Sequence, residues 1–329
     1  DLGGNLAWRK KVLVKSNASL RKELKEACRR DILFFLNTFG YIYEPRPSAG
    51  QPARVLPFIT YPFQDKAIKV ILRHIEVGRD LWVDKSRDMG ASWIFCCVMD
   101  WYAWTHERSK FMMMSRKEKL VDFPGDPDSL FWKIDFVHEH LPDWLRPKVQ
   151  REKLKFRYLE NNSVTVGDAT TGATGVGGRD TGLFLDEVGR YEDKDAYELY
   201  ASTMDTANCR IFNTTPWNRF SAEMAARKDI SKLRMHWTEH PLKSKGLYRF
   251  DRETRRIEVV DKTYSFPPEF KFCMDEVFPF GSPWFDAYRT RANNDRYVSQ
   301  MLEIDYQGSR FQFFEKVMVM VENEELKKQ

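Results

Sequence analysis

The sequence lacks the cysteine and histidine patterns that mark disulfide-rich and zinc-binding proteins. Its 329 residues include five cysteines, an odd number with no C-x-x-C spacing, and its six histidines form no H-E-x-x-H motif. We therefore expect reduced, buried cysteines, and metal catalysis through histidine is not supported. The cysteines are Cys28, Cys96, Cys97, Cys209 and Cys273.

Long hydrophobic runs are missing as well. No stretch approaches the roughly 20 apolar residues of a membrane span. No apolar run follows the basic residues Arg9, Lys10 and Lys11, as it would in a secretory signal. With 42% hydrophobic and 31% charged residues, the composition is that of an ordinary globular protein. We expect a cytosolic location and no membrane partner.

Hydrophobic periodicity predicts an α/β fold with a mostly parallel sheet. From residue 80 onward, short apolar runs alternate with segments of helical spacing, and in such folds ligands bind beyond the carboxyl ends of the strands. Residues 1–39 predict one or two helices, and residues 247–260 predict a hairpin. The predicted regions are an N-terminal helical region and loop (1–54), a core (55–240), a small C-terminal lid or linker (241–314) and a tail (315–329).

A glycine-containing loop follows the first core strand, but its lysine is displaced. In the usual pattern, G-x-x-x-x-G-K-[ST], backbone N–H groups and the lysine hold phosphates and the last hydroxyl ligates Mg²⁺. Here Gly90 and Ser92 match, Ala91 occupies the lysine position, and Lys85 stands in place of the first glycine. Taken alone, an ordinary strand-to-helix turn explains this segment better. The loop consists of Lys85, Ser86, Arg87, Asp88, Met89, Gly90, Ala91 and Ser92.

A pair of acids ends another apolar strand. Asp186 and Glu187 directly follow the run 182–185, and a carboxylate at the tip of a buried strand costs free energy unless it meets a cation or polar partners. In phosphoryl-transfer ATPases such an acid holds Mg²⁺, and a following glutamate can polarise the attacking water. A solvated turn is the alternative.

Two further polar segments lie on either side of these motifs in the chain. Thr214, Thr215 and Pro216 end the next predicted strand with hydroxyl groups that could sense a γ-phosphate, although such strand ends are usually turns. Upstream, Gln64 lies among aromatic residues and could offer its amide to an adenine edge, although an isolated glutamine is usually a surface residue.

In this order, the four motifs resemble the ATPase domain of large terminase subunits of tailed bacteriophages, the motors that pump DNA into procapsids. The resemblance covers roughly residues 55–310 and lies in the order of the motifs more than in any one of them. Some members of the family, lambda-type terminases among them, also carry a lysine at the start of the loop and none after the glycine. The resemblance implies a RecA-like (ASCE) P-loop NTPase fold that binds ATP and Mg²⁺.

The resemblance also implies a role for each motif. The loop 85–92 and Gln64 would bind ATP, Ser92 and Asp186 would meet the metal, and Glu187 would be the catalytic base. The Thr-Thr-Pro segment would couple hydrolysis to motion. A lysine has a flexible four-carbon stem, so Lys85 could approach the same phosphates from the other side of the loop.

Two arginines compete for the role of an arginine finger. Family members place an arginine just before the acid-bearing strand, where it acts on a neighbouring subunit's nucleotide. Arg179 matches that position and follows a glycine-rich stretch, whereas Arg87 lies within the loop itself. A finger can be worth about 10³ to 10⁵ in rate. A surface arginine is the alternative for Arg179.

Basic residues supply a candidate DNA surface. The net charge of +5 permits contact with nucleic acid without requiring it. A cluster after residue 145 is spaced so that several members could line one strand face and meet phosphates, although a solvated surface explains it equally well. Its members are Arg146, Lys148, Arg151, Lys153, Lys155 and Arg157.

By resemblance, the chain is expected to be the ATP-hydrolysing motor domain of a viral DNA-packaging terminase in the host cytoplasm. Double-stranded DNA, the portal protein, the small terminase subunit and further copies of the chain in a ring would be its partners. Only fifteen residues follow Phe314, so nuclease activity is not expected from this chain. The alternatives are a helicase-like translocase and a nucleotide-binding assembly module with weakened catalysis.

Overall fold

The computed structural model describes residues 2–45, 54–169, 178–273 and 277–306. The described chain folds as an α/β protein around an eight-stranded, mostly parallel sheet with flanking helices, and this confirms the predicted fold class. Among the described helices, none combines the length and the apolarity that crossing a membrane requires. The predicted tail, 315–329, lies outside the described residues.

The helices and strands have the following bounds. The α-helices are α1 (Leu2–Lys15), α2 (Ala18–Arg30), α3 (Ile32–Phe39), α4 (Pro62–Val77), α5 (Ala91–Thr105), α6 (Glu118–Val121), α7 (Leu130–His140), α8 (Asp193–Ser202), α9 (Arg219–Ala226), α10 (Pro283–Ala292) and α11 (Asp295–Val298). The strands are β1 (Tyr41–Glu44), β2 (Arg54–Pro57), β3 (Leu81–Lys85), β4 (Lys110–Ser115), β5 (Val149–Glu152), β6 (Lys155–Tyr158), β7 (Ser163–Ala169), β8 (Gly182–Leu185), β9 (Arg210–Thr214), β10 (Ser231–Met235), β11 (Tyr248–Asp251), β12 (Arg256–Val259) and β13 (Phe280–Gly281).

The main sheet has the strand order β10-β3-β9-β8-β4-β7-β6-β5. Strand β4 is parallel to β7 and to β8, and β8 is parallel to β9, whereas β5, β6 and β7 form an antiparallel meander. Strand β9 therefore separates β3, which leads into the glycine loop, from β8, which ends at the acid pair. This insertion of one strand between the two motif-bearing strands is the RecA-like arrangement.

The chain forms two compact units. The first comprises residues 1–82 and 90–213, and the second comprises residues 83–89 and 214–329. The chain thus crosses between the units within β3, after the loop residue Met89, and near the end of β9.

Helix α5 is the central helix of the first unit. It is apolar on nearly all sides, and such helices are stable only when they are enclosed by other elements. Phe95 of this helix stacks on Phe184 of β8, with ring centroids 4.4 Å apart. Cys96 and Cys97 are buried free thiols, and burial raises the pKa of both. The five cysteines are free thiols in the structure; Cys28, Cys96, Cys97 and Cys209 are buried, as predicted, whereas Cys273 is only half-buried.

The N-terminal region contains three helices where the sequence predicted one or two. The side chain of Asn17 caps α2 by accepting from the N–H of Leu20, and Asp31 caps α3 by accepting from Leu33 and Phe34. Asn17 therefore starts α2, and Asp31 both ends α2 and starts α3, since capping oxygens satisfy N–H groups that have no partner within the helix. The region 1–54, predicted to contain only helices and a loop, also contains strand β1, which pairs with β2 in an antiparallel ladder.

The second unit has a three-stranded sheet and an apolar cluster of its own. Strands β11 and β12 form the predicted hairpin, and β13 pairs with β11. His236 lies at the end of β10, and burial lowers its pKa to about 3. The cluster consists of Trp237, Phe278, Phe285, Val298, Met301 and Leu302.

Candidate active site

Gly90 begins helix α5 in a conformation that favours glycine. Its φ is 75°, in the left-handed region, and a Cβ added there would lie 2.8 Å from Nε2 of Gln64. The first turn of α5 follows directly, and its N–H groups have no partner within the helix. The left-handed backbone conformation therefore favours glycine here, and a side chain at this position would displace the amide of Gln64.

The hydroxyl of Ser92 meets the carboxylate of Asp186. Ser92 Oγ donates to Asp186 Oδ2 at 3.0 Å, joining the first turn of α5 to the tip of β8. Asp186 is only 7% exposed, and its backbone N–H donates to the carbonyl of Met114 at 2.9 Å. The structure thus brings together the two residues that the sequence predicted to meet a metal.

Asn213 was missed by the sequence argument and completes this cluster. Its Nδ2 donates to Asp186 Oδ1 at 2.6 Å, and the N–H of Glu187 donates to the same oxygen at 3.1 Å. Asn213 is fully buried, and within the described chain its Oδ1 has no hydrogen-bond partner. The signal in the sequence was a polar residue inside an apolar strand, directly before Thr214.

Glu187 follows Asp186 in a strained backbone conformation. Its φ of 53° and ψ of 42° lie in the left-handed region, which costs a residue other than glycine about 1–2 kcal/mol. A short 3₁₀ turn, Val188–Arg190, follows it. Glu187 is half-buried, and its carboxylate has no hydrogen-bond partner among the described residues. Strain of this kind concentrates at functional sites.

Gln64 lies at the start of α4, close to the loop glycine. Its Oε1 accepts a hydrogen bond from the N–H of Tyr61 at 3.0 Å and so caps the helix. The rings of Tyr61 and Phe63 are stacked, with centroids 6.1 Å apart. Gln64 is only 6% exposed, and its contact with an adenine base stays a prediction.

The first part of the loop belongs to the second unit. Lys85 is half-buried at the end of β3, and its ammonium has no ion pair or hydrogen bond within the described part of the chain. The guanidinium of Arg87 is exposed and donates to the hydroxyl of Tyr297 at 3.0 Å. Ser86 is buried, and its Oγ donates to the carbonyl of Leu302 at 2.5 Å.

The Thr-Thr-Pro segment also lies in the second unit. Thr214 ends β9, as the sequence predicted, and is fully buried. Its hydroxyl donates to the carbonyl of Thr215 at 2.8 Å, and Pro216 is buried. The proposed role in sensing a phosphate stays a prediction.

Arg179 is exposed in the first unit, just before β8. Its neighbour Asp180 is buried and pairs with the ammonium of Lys110 at 2.9 Å. The glycine-rich stretch 170–177 lies outside the described residues. The choice between Arg179 and Arg87 as a finger stays a prediction.

Arg151 differs from the other members of the basic cluster. Its guanidinium pairs with Asp122 at 2.6 Å and with Asp135 at 3.1 Å, and it lies 4.5 Å from the ring centroid of Phe156. Phe156 is fully buried and pairs with Arg151 in the antiparallel register. Arg151 therefore has a structural role within the first unit.

The remaining predicted DNA contacts are more exposed. Lys155 and Arg157 are two residues apart on β6 and so share one face of the strand. Lys153 pairs with a surface glutamate, and Lys155 lies 3.9 Å from another. Lys148 and Arg157 are exposed and form no ion pair within the described ranges. Contact of these residues with DNA stays a prediction.

No protein-family model matches this chain, and no curated protein matches it. Among solved structures it is similar to the HK97 bacteriophage large terminase, with 15% identity and a TM-score of 0.46 over 64% of this chain and 43% of that one. It is also similar to the Thermus phage P74-26 large terminase ATPase domain, with 12% identity and a TM-score of 0.45 over 73% of this chain and 92% of that one.

A third similar structure is a thermophilic bacteriophage large terminase in complex with ADP, with 12% identity and a TM-score of 0.43 over 54% of this chain and 46% of that one. These neighbours are phage large terminases. The chain spans 45% of the length of another structure of that thermophilic phage protein. At such low identity and TM-score, this likeness does not support a function. The function proposed below rests on the side-chain geometry instead.

Proposed function

We propose that this chain binds ATP with Mg²⁺ and hydrolyses it as the motor domain of a phage DNA-packaging terminase. The observation that supports this most directly is the hydrogen bond between Ser92 and Asp186, with Glu187 next in the chain. A hydroxyl at the first turn of a helix, opposite a strand-end carboxylate, is the arrangement that P-loop NTPases use for Mg²⁺.

The start of α5 would bind the phosphates. A helix of this length carries a partial positive charge at its N-terminus, and its first N–H groups can donate to anionic oxygens. Gly90 lets the backbone approach closely because it has no Cβ. Lys85 would supply the positive charge that the usual motif places at the position of Ala91.

The residues present fit a magnesium ion. Mg²⁺ takes oxygen ligands and is usually held by one or two protein groups, with phosphate and water oxygens completing its shell. Ser92 Oγ and Asp186 Oδ2, 3.0 Å apart, form such a pair, and Asn213 orients the carboxylate. Within the described ranges no group of three or more His, Cys, Asp or Glu residues could hold a metal. When bound, the ion would neutralise charge on the β- and γ-phosphates.

Glu187 would act as the general base that activates the attacking water. Its half-buried carboxylate follows the proposed metal ligand directly, in a left-handed conformation that a simple strand end does not need. General acid–base catalysis contributes about 10²–10⁴ in rate. Arg179 or Arg87 would add a positive charge in the transition state, and Thr214, with the two residues after it, would couple hydrolysis to motion.

Translocation of double-stranded DNA would use the exposed basic residues of the β5–β6 hairpin. Phosphate contacts give affinity without sequence specificity, which suits a motor that moves along any DNA. The proposed partners are the portal protein, the small terminase subunit and further copies of this chain in a ring on the procapsid, in the host cytoplasm. Salt-dependent binding of DNA would support the motor over an assembly module.

Glu187→Gln tests the proposed function. We expect the variant to bind ATP as the parent chain does, measured by calorimetry, while steady-state phosphate release falls about 10²-fold or more. Glu198→Gln, on the exposed face of α8, is the matched control and should hydrolyse normally. Undiminished hydrolysis by Glu187→Gln would exclude the assignment. Nucleotide binding without any hydrolysis by the parent chain would favour the assembly module.

A further inference from the structure

Lys243 is a buried lysine in the second unit, outside every predicted motif. It is 7% exposed, and its Nζ donates to the carbonyl oxygens of Arg87 at 2.7 Å and of Asp88 at 2.9 Å. The ammonium also lies 4.8 Å from the ring centroid of Trp284. Burying a charge is costly unless it is well hydrogen-bonded, so these contacts are needed to hold the ammonium in place. Both carbonyl partners belong to the phosphate loop.

These hydrogen bonds fix two successive peptide planes of the loop. In a planar trans peptide the C=O and the following N–H point in opposite directions. Holding the carbonyls of Arg87 and Asp88 against Lys243 therefore turns the N–H groups of Asp88 and Met89 away from it. Carbonyl oxygens carry partial negative charge and would repel a phosphate, whereas a series of N–H groups forms a cradle for anions.

The backbone of Lys243 is tied in turn to the start of α10. Ser282, which caps this helix, donates from Oγ to the carbonyl of Lys243 at 2.7 Å and accepts from the N–H of Phe285 at 3.0 Å. The N–H of Arg87 donates to the carbonyl of Met301 at 2.6 Å, close to α11. The first half of the loop is therefore held by residues of the C-terminal part of the chain.

We propose that Lys243 is a positioning residue for nucleotide binding, which holds the carbonyl oxygens of Arg87 and Asp88 and links the loop to α10. The proposal rests on the ATP-binding function proposed above. Lys243 contacts the carbonyl side of the loop, so it acts on the loop backbone rather than on the phosphates. Its contribution lies in nucleotide affinity, while the turnover of bound nucleotide depends on other residues.

The test compares Lys243→Met with Lys243→Arg and with the control Lys245→Met. Lys245 is exposed in the same segment and has no contact with the loop in the described structure. For Lys243→Met we expect the KM for ATP to rise about tenfold or more, because hydrogen bonds to a charged group are lost. The kcat should change less than about threefold, and arginine, which can donate to two carbonyls, should restore part of the affinity.

Ser282→Ala keeps the test decisive if Lys243→Met fails to fold. This variant removes the link to α10 and leaves the ammonium in place, so a smaller rise in KM, of about threefold, is expected. An unchanged KM in a folded Lys243→Met or Ser282→Ala variant would overturn the proposal, as would a loss confined to kcat. Absence of hydrolysis by the parent chain would instead overturn the proposed function.

Discussion

Gly90→Ala should destabilise the first unit well beyond an ordinary glycine-to-alanine change. The φ of 75° at Gly90 costs an L side chain about 1–2 kcal/mol. The new Cβ would also lie 2.8 Å from Nε2 of Gln64, and moving this amide away would give up its hydrogen bond with the N–H of Tyr61, a loss of about 0.5–1.5 kcal/mol. The two contributions add to a loss of about 1.5–3.5 kcal/mol in the free energy of unfolding.

Gly125 provides a matched control in the same unit. It has a φ of 80°, and an added Cβ would meet no atom within 4 Å. Gly125→Ala therefore carries the conformational cost alone, about 1–2 kcal/mol. The difference between the two variants isolates the contact between Gly90 and Gln64. Gly90→Ala should also be measured in a Gln64→Ser background, relative to Gln64→Ser alone. In that background the loss caused by Gly90→Ala should fall close to the loss caused by Gly125→Ala.

Urea unfolding followed by tryptophan fluorescence measures these losses, together with hydrogen exchange of the α5 amides to report on the first unit. Equal losses for Gly90→Ala and Gly125→Ala would refute the argument that the loop packs against the amide. Phosphate release should also fall in Gly90→Ala and persist in Gly125→Ala, since only the former changes the proposed phosphate loop.

Four further predictions concern charge. Burial lowers the pKa of His236 to about 3, so between about pH 6.5 and pH 3 this imidazole is protonated mainly in the unfolded chain. The free energy of unfolding should therefore fall as the pH falls through that window, and His236→Asn should flatten the dependence in urea titrations. Arg151→Ala should lower the free energy of unfolding by about 2–4 kcal/mol, because it leaves a buried carboxylate unpaired. By contrast, Arg157→Ala should spare stability and reduce the salt dependence of DNA binding measured by fluorescence anisotropy. Finally, Lys85→Ala should lower phosphate release more than Arg87→Ala does. The reverse order would indicate that Arg87, and not Lys85, contacts the phosphate.

The central strands of the main sheet and the hairpin of the second unit could be read from the sequence, whereas β1 and β2 were not predicted. The hairpin of β11 and β12 and the strand ends at Asp186 and Thr214 follow from alternating apolar runs bounded by polar residues. The number of N-terminal helices was harder to predict, because helical spacing continues across Asn17 and Asp31. At those two positions capping by a single side chain decides where the next helix begins.

The sequence predicted those residues of the proposed site that lie in local motifs. It did not predict the contacts that residues from distant parts of the chain make with each other. Ser92 and Asp186 are 94 positions apart and were paired only through their motifs. Lys243 is 156 positions from its carbonyl partner in Arg87, and no pattern around it signals the contact. The left-handed backbone of Glu187 is equally hidden, because nothing in its side chain favours that conformation.

The enclosure of α5 has a consequence for the proposed metal site. Ser92 lies in the first turn of a helix whose apolar residues are buried along its length, and Asn213 holds the opposite carboxylate. Both oxygen donors are thus ordered when the protein folds, before any ion arrives. Binding then loses little side-chain entropy, and preorganised donors of this kind raise affinity without adding a contact. Loosening the helix far from Ser92, for example by truncating Phe95 where it stacks on β8, should therefore weaken Mg²⁺ binding at the proposed site even though neither proposed ligand has changed.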